Sequence, residues 1–539
     1  MKGAFRQSMT WLHTWSGLVF CWVLYFMFLT GTLGYLDEEI DHWMEVAPPP
    51  ADPVPIAQAT KTAQAYLEQH AAGANRWFIT PASGREAPQL SVFAQMPRPE
   101  DHEEAGPEDR NVNEQLDANT GLPLAKSERD TGGGQLLYRM HYVFHYIDRD
   151  LGYRLAGVFT MLMFVGMLTG IVVHKKIFKD FFTFRPNKGQ RSWLDMHNLL
   201  SVSSLPFLIM ITYSGLIFMV TVWMPGIALG TYGFDAQKLQ AETSTLLGPP
   251  PTERAGTLAP LMDLAELAAA VEQEWGEGRV QSMNVEFPGD ANARVTVNRF
   301  SDGLLRTDGQ AIYSGVTGEL IKDADTEGNK VITFAFVMLA LHEGIFAGPV
   351  LRLLYVISGL IGTAMVATGA IYWTAKRRKK EHQAQSFGFR FVEAVNIGTI
   401  FGLPVAIAAY FWANRLLPLG LEHRHDWEAH VMFITWALCL IYPVLRSSRD
   451  AWRDLAWLGA FAYLAIPVLN ALTTEVGLAQ SIPSGDWLMA GFDLAALGTG
   501  LCFALAAWWI GRQPEPLPAP NKRQDEAASA APVEEAQAT

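Results

Sequence analysis

Long apolar runs alternate along this chain with two long polar stretches. A bilayer-spanning helix needs about 20 mainly apolar residues. Eight runs meet or approach that length: Leu12–Leu36, Leu151–Val173, Leu199–Met224, Val350–Trp373, Phe391–Trp412, His430–Val444, Leu455–Leu472 and Trp487–Ile510. The sixth is short and the seventh is interrupted by Pro467. The polar stretches, 37–135 and 225–333, read differently. The first has a helical pattern over Ile56 to His70 and strand-like pieces at Trp77–Thr80 and Gln89–Ala94. The second has a helix near Met262–Glu274, strand-like pieces SMNVEF and ARVTVNRF, and AIYSGVTGELI at its close. Asn119-Thr120-Gly121 and Val316-Thr317-Gly318 supply the glycine that a hairpin turn wants. The acidic, proline-containing stretch Met96–Arg110 reads as a loop, and the Pro/Ala/Glu-rich tail 512–539 as disordered.

This pattern divides the chain into a first span (1–36), an α+β domain (37–135), a second span (136–176), a loop (177–196), a third span (197–224), a second α+β domain (225–333), a fourth span (334–375), a basic loop (376–390) and four further spans (391–511). The predicted fold class is a mainly α integral membrane protein: a duplicated four-helix bundle with two α+β domains and about four additional C-terminal helices. The first run follows Lys2 and Arg6, as a signal peptide would, but it is too long and lacks an A-x-A end. It is read as an uncleaved span.

Lys and Arg in short loops set orientation. Lys175, Lys176, Lys179, Arg185, Lys188 and Arg191 follow span two, and Lys376 to Lys380 is a basic cluster after span four. Both loops and the N-terminus are expected in the cytoplasm, and the α+β domains outside. Residues 37–135 hold 7 basic against 18 acidic side chains, and 225–335 hold 8 against 16. Nucleic acid is excluded as a partner for such surfaces. The three cysteines, Cys21, Cys439 and Cys502, all fall in apolar runs, and no C-x-x-C-H occurs. This excludes covalent c-type haem and an iron–sulfur cluster held by this chain alone. No Walker A or G-x-G-x-x-G motif occurs, so no nucleotide-binding domain is expected.

The halves repeat. His13 is followed by Thr30-Gly31 and His197 by Ser214-Gly215, in each case with the glycine 18 positions on. His145 precedes Arg154 by 9 and Gly170 by 25, while His342 precedes Arg352 by 10 and Gly369 by 27. Four residues beyond those glycines stand His174 and Trp373. A parallel duplication about an axis along the membrane normal accounts for this. It places His13 opposite His197 near the cytoplasm and His145 opposite His342 near the outside. Read as one helix from 136 to 176, the stretch puts His145 roughly 43 Å from His174.

Ionisable side chains inside a membrane are costly and usually functional. A single histidine near a membrane face is most often interfacial. Four at matched depths in a duplicated bundle point instead to axial ligation of haem between facing helices. The expected cofactor is haem b, two per chain with a third as an alternative. Its ligands are His13, His197, His145 and His342. His141 and His174 stand as alternative ligands or haem neighbours, and Arg154 and Arg352 as propionate contacts or snorkelling side chains. His423 and His425 read as a solvated loop.

The motifs MHYVFHYIDRDLGYRLAG, TGIVVHKKIFKDFFTFRPNKGQRSWLDMHN, HTWSGL and LALHEG resemble the PepSY-associated transmembrane helix family over roughly residues 1–380. The polar segments resemble PepSY domains more loosely. The resemblance implies a bacterial inner-membrane protein of iron uptake, similar to ferric-siderophore reductases with two haems in the four-helix core. It implies a ferric siderophore or other ferric chelate as substrate. A quinol or a separate reductase would then be the electron donor. Two other readings are carried forward: PepSY domains that bind or restrain a peptidase or sensor partner, and a siderophore or iron transporter through the last four spans.

Overall fold

A computed structural model describes residues 2–85, 87–97, 111–174, 181, 183–219, 235, 252–300, 309–324, 330–378 and 386–513. Among them, seven helices are long and apolar enough to cross a membrane, or eight if one bent pair is a single span. The protein is a multi-pass membrane protein, mainly helical.

Helix α1 (Lys2–Leu33) continues through a 3-10 turn into α2 (Asp37–Glu45). The first repeat then supplies α3 (Ile56–His70), β1 (Arg76–Thr80), β2 (Leu90–Gln95), β3 (Val112–Leu116), α4 (Gly133–Met140) and α5 (Arg149–Val173). The second supplies α6 (Gln190–Ser203), α7 (Leu205–Phe218), α8 (Leu264–Trp275), β4 (Val280–Glu286), β5 (Arg294–Arg299), β6 (Gln310–Ser314), β7 (Leu320–Ala324), α9 (Lys330–Glu343) and α10 (Pro349–Arg378). Helices α6 and α7 correspond to α1, but they meet at a 65° bend. Pro206 lies just beyond that bend and has no N–H to continue the helical ladder.

The stretch from Leu136 to Lys176 is not one helix. Helix α4 ends at Met140, the chain turns with Tyr146 at φ 65°, and α5 starts afresh at Arg149. Asp148 caps that start by accepting from the Asp150 and Leu151 amides. The expected 43 Å rise from His145 therefore does not apply.

The two α+β segments form one domain. Their strands make a single antiparallel sheet in the order β3-β2-β1-β4-β5-β6-β7. At its centre Trp77 lies opposite Val285, Phe78 opposite Asn284 and Ile79 opposite Met283. A two-fold axis through the Phe78–Asn284 pair exchanges the flanking inward pairs, as a duplication demands. Alternation buries Trp77, Ile79, Leu90, Val92, Met283, Val285, Val295 and Val297 on one face. Helices α3 and α8 cover that face. Gln64 of α3 ties the halves by accepting from the Leu264 amide and donating to the Met262 carbonyl. Gly121 and Gly318 occupy the hairpin turns at φ 72° and 74°. The loop read at Met96–Arg110 and the tail read at 512–539 lie mostly outside the described residues.

In the bundle, α1 packs along α5 and α10, and α10 along α6. The C-terminal unit is α11 (Phe387–Ile400), α12 (Gly402–Leu416), α13 (Arg424–Ile441), α14 (Ser448–Leu464), α15 (Ile466–Thr473), α16 (Leu478–Ser484) and α17 (Trp487–Arg512). Span six therefore begins earlier than its apolar run suggests, and α14 and α15 continue span seven across Pro467. The unit leans on the repeat core. Tyr25 donates to the Ile400 carbonyl, Trp22 to Asn396, and Asn396 to the Ala370 carbonyl.

Candidate functional site

The bundle holds two histidine pairs. His13 on α1 and His197 on α6 have ring centres 6.4 Å apart, with planes at 56°. At the end next to the sheet domain, the pair is His141 and His342, also 6.4 Å apart, with planes at 22°. His141 directly follows α4, and His342 lies in the last turn of α9. On α1, Gly31, against which His141 packs, lies 18 positions beyond His13. At about 1.5 Å per residue, the two levels are roughly 27 Å apart. That is close to the ~30 Å thickness of a hydrocarbon core.

His145 does not meet His342. This corrects the pairing expected from the repeat. The break between α4 and α5 turns His145 away from the bundle, where its ring stacks on Phe433 of α13 at 5.6 Å. Its neighbour Tyr146 hydrogen-bonds His430. His141, four residues earlier, occupies the position opposite His342.

Each of the four paired rings abuts a glycine on another helix. A Cβ at Gly170 would lie 3.2 Å from His13, at Gly369 3.1 Å from His197, at Gly215 3.0 Å from His342 and at Gly31 3.4 Å from His141. Glycine thus makes room for each imidazole. Each ring is also fixed through Nδ1. His13 Nδ1 meets the Gly166 carbonyl and His197 Nδ1 the Met365 carbonyl, both at 2.9 Å. His342 Nδ1 meets the Ser214 hydroxyl at 2.9 Å, and His141 Nδ1 meets the Tyr138 carbonyl. A carbonyl partner requires Nδ1 to carry the proton, which leaves Nε2 as a lone pair. That is the arrangement a metal-bound imidazole adopts, with its outer nitrogen held by an acceptor.

The fit to haem follows from this geometry. Metal–imidazole bonds are about 2.0 Å, and a ring nitrogen sits roughly 1.1 Å from its ring centre. Two imidazoles clamping one metal are therefore a little over 6 Å apart, centre to centre. Two nitrogens leave a six-coordinate iron four donors short, which a porphyrin provides. Around His141 and His342 opens a cavity of about 550 Å³. Tyr138, Glu343, Arg85 and Arg352 are among its other lining residues. Tyr138 donates to Glu343.

The remaining predicted residues divide. Arg352 lines the cavity and lies 3.9 Å from Glu39. Arg154 is exposed and does not line it. His174 ends α5, and its Nε2 is buried without a hydrogen-bond partner among the described residues. His423 is solvent-exposed, and His425 pairs with Asp130 at 2.7 Å.

Two features were not foreseen. Arg85, from the sheet domain, reaches Glu39 at 2.8 Å and Asp37 at 3.1 Å, tying that domain to the cavity mouth. A buried polar network also joins the C-terminal unit to α2 and α4. Arg424 pairs with Glu428 at 2.5 Å with both side chains fully buried. Glu428 accepts from Thr131 and the Gly132 amide, just before α4. Tyr410 donates to the Gly133 carbonyl. Arg415 lies 3.5 Å over the Trp43 ring, and Trp43 donates to Asp493.

These features define a class: a duplicated multi-pass membrane protein with one shared sheet domain and a histidine pair at each of two levels. The chain matches the model of the PepSY-associated TM region over residues 10–376, and it belongs to that family. No curated protein gives a significant match.

Proposed function

We propose that this protein is a di-haem electron carrier that reduces a ferric chelate on the side of the sheet domain. The observation that carries the reading is the paired geometry: at each of two levels, two imidazoles from different helices stand 6.4 Å apart with Nδ1 engaged. His13 and His197 would hold one haem b, and His141 and His342 the other. When bound, the two groups supply one-electron transfer between the membrane faces.

The chain's residues do the rest. The Nδ1 acceptors orient the ligands, and the four glycines admit them. Arg85 and Arg352 line the sheet-side cavity, held there by Glu39 and Asp37, and offer guanidinium donors to an anionic group. Lys and Arg in the loops after spans two and four support a periplasmic position for the sheet domain, in a bacterial inner membrane. Ferric iron entering there as a siderophore complex would leave as Fe(II), for which hard oxygen donors have lower affinity. Electrons come from a quinol or a separate reductase on the other side.

The test is the visible spectrum of the purified full chain, oxidised and reduced, with a haemochrome count. Two b haems per chain are expected. His141→Ala and His342→Ala should each lose one, and His145→Ala should keep both. A colourless protein from haem-replete cells would overturn the reading and leave the partner-binding role of the sheet domain in front.

A further inference from the structure

Two buried ring nitrogens near the His13–His197 pair have no hydrogen-bond partner among the described residues: Nε2 of His174 and Nε1 of Trp373. They occupy equivalent places in the two repeats. His174 follows Gly170 by four residues and Trp373 follows Gly369 by four. Those glycines are the ones that pack on His13 and His197. Residues four apart share a helix face. Each donor therefore sits one turn beyond an imidazole contact, on the face turned to the pair, at the end away from the sheet domain. His174 is within electrostatic reach of His197.

Each donor also has a guanidinium beside it. Arg6 donates to the carbonyl of Val173, the residue before His174, at 3.1 Å. Arg377 lies 3.7 Å over the Trp373 ring, with Trp15 on α1 at 6.0 Å. A buried polar nitrogen left unpaired is costly, so two in symmetric places call for two partners. The neighbouring arginines favour acceptors that are negatively charged.

We propose that His174 and Trp373 seat the two carboxylates of the haem held by His13 and His197. Both carboxylates then face the membrane side opposite the sheet domain. The proposal rests on the di-haem reading and assigns the orientation of one haem. Indole can only donate, so Trp373 is a carboxylate donor and never a ligand. The equivalence of the two positions gives His174 the same role, with its proton on Nε2.

The experiment compares the full chain with His174→Phe, Trp373→Phe and the double variant, loaded with haem carrying ¹³C-labelled carboxylates. Haem content, both midpoint potentials and the redox-difference infrared spectrum are read. The double variant should keep two haems. The bands of two carboxylates should shift, one in each single variant, and one potential should fall, because a less compensated carboxylate disfavours the added electron. That potential should be the one abolished in His197→Ala. Unchanged bands and potentials at full haem content would overturn the proposal. So would loss of an axial-ligand signal in His174→Phe, which would make His174 a ligand. If the double variant does not accumulate, Trp373→Phe and Arg377→Gln make the same comparison singly. A wild-type chain without haem removes the underlying reading, and this outcome is told apart by its lack of colour before any variant is made.

Discussion

Gly170 and Gly369 stand where even a methyl group would crowd an imidazole, since a Cβ there would lie 3.2 and 3.1 Å from His13 and His197. A valine side chain adds two further carbons on that side. Gly369→Val should therefore expel His197 from its position and halve the haem content, leaving the His141–His342 redox wave intact. Haemochrome counting and a redox titration check this. At this scale the sequence was partly legible. The 18-residue interval from His13 to Gly31, and again from His197 to Gly215, is visible without a structure. The choice of His141 over His145 was not, because the two lie four residues apart and reading 136–176 as one helix puts both on one face. The available signal was Asp148 two residues before Asp150, an N-cap pattern that starts a new helix and ends the old one.

Among the elements, α4 is short and depends on others for its position. Its N-terminus is held by Glu428, Tyr410 and Asp41, and its last turn delivers His141. Glu428→Ala leaves Arg424 buried and uncompensated, at a cost of about 3–5 kcal/mol. Glu428→Gln keeps part of the hydrogen bonding and should cost less. Thermal unfolding in detergent should rank the wild type above Gln and Gln above Ala. The sheet-side haem should be lost before the other. The Arg424–Glu428 spacing of four is visible in the sequence, but its meeting with Thr131, Asn414 and α4, and that of Arg415, Asn470 and Asp493, was illegible because those residues lie on separate segments and meet only on folding. This network also makes a hydrophilic path through these spans less attractive, since the polar atoms largely satisfy one another.

In the sheet domain, Asp290 accepts from the amides of Asn292, Ala255 and Gly256. These bonds, the Asn292 amide foremost, hold its carboxyl below the usual range. The folded-state pKa is depressed, so the stabilisation is present above the ordinary carboxyl value of ~3.9 and is lost as pH falls through the folded value. The domain's unfolding transition should be flat from neutral pH to about 5 and fall below about 4. In Asp290→Asn the fall should be shallower; a variant with the same acid profile would assign the loss elsewhere.

At the scale of the whole molecule, spans were readable because a membrane demands length and apolarity from each helix separately. The shared sheet was not, since each polar segment looks like a domain in its own right and the β1–β4 pairing that makes the sheet continuous joins strands about 200 residues apart. That pairing implies a history as well as a shape. Two strands meeting antiparallel across a local two-fold are what a symmetric homodimer uses when its subunits join edge to edge. The covalent chain has then taken over from an encounter between two copies. A half-chain ending after α5 would expose the β1 edge, with its backbone donors and acceptors unspent. Such a fragment should self-associate, and sedimentation in detergent should find it dimeric; a monomeric fragment would overturn this.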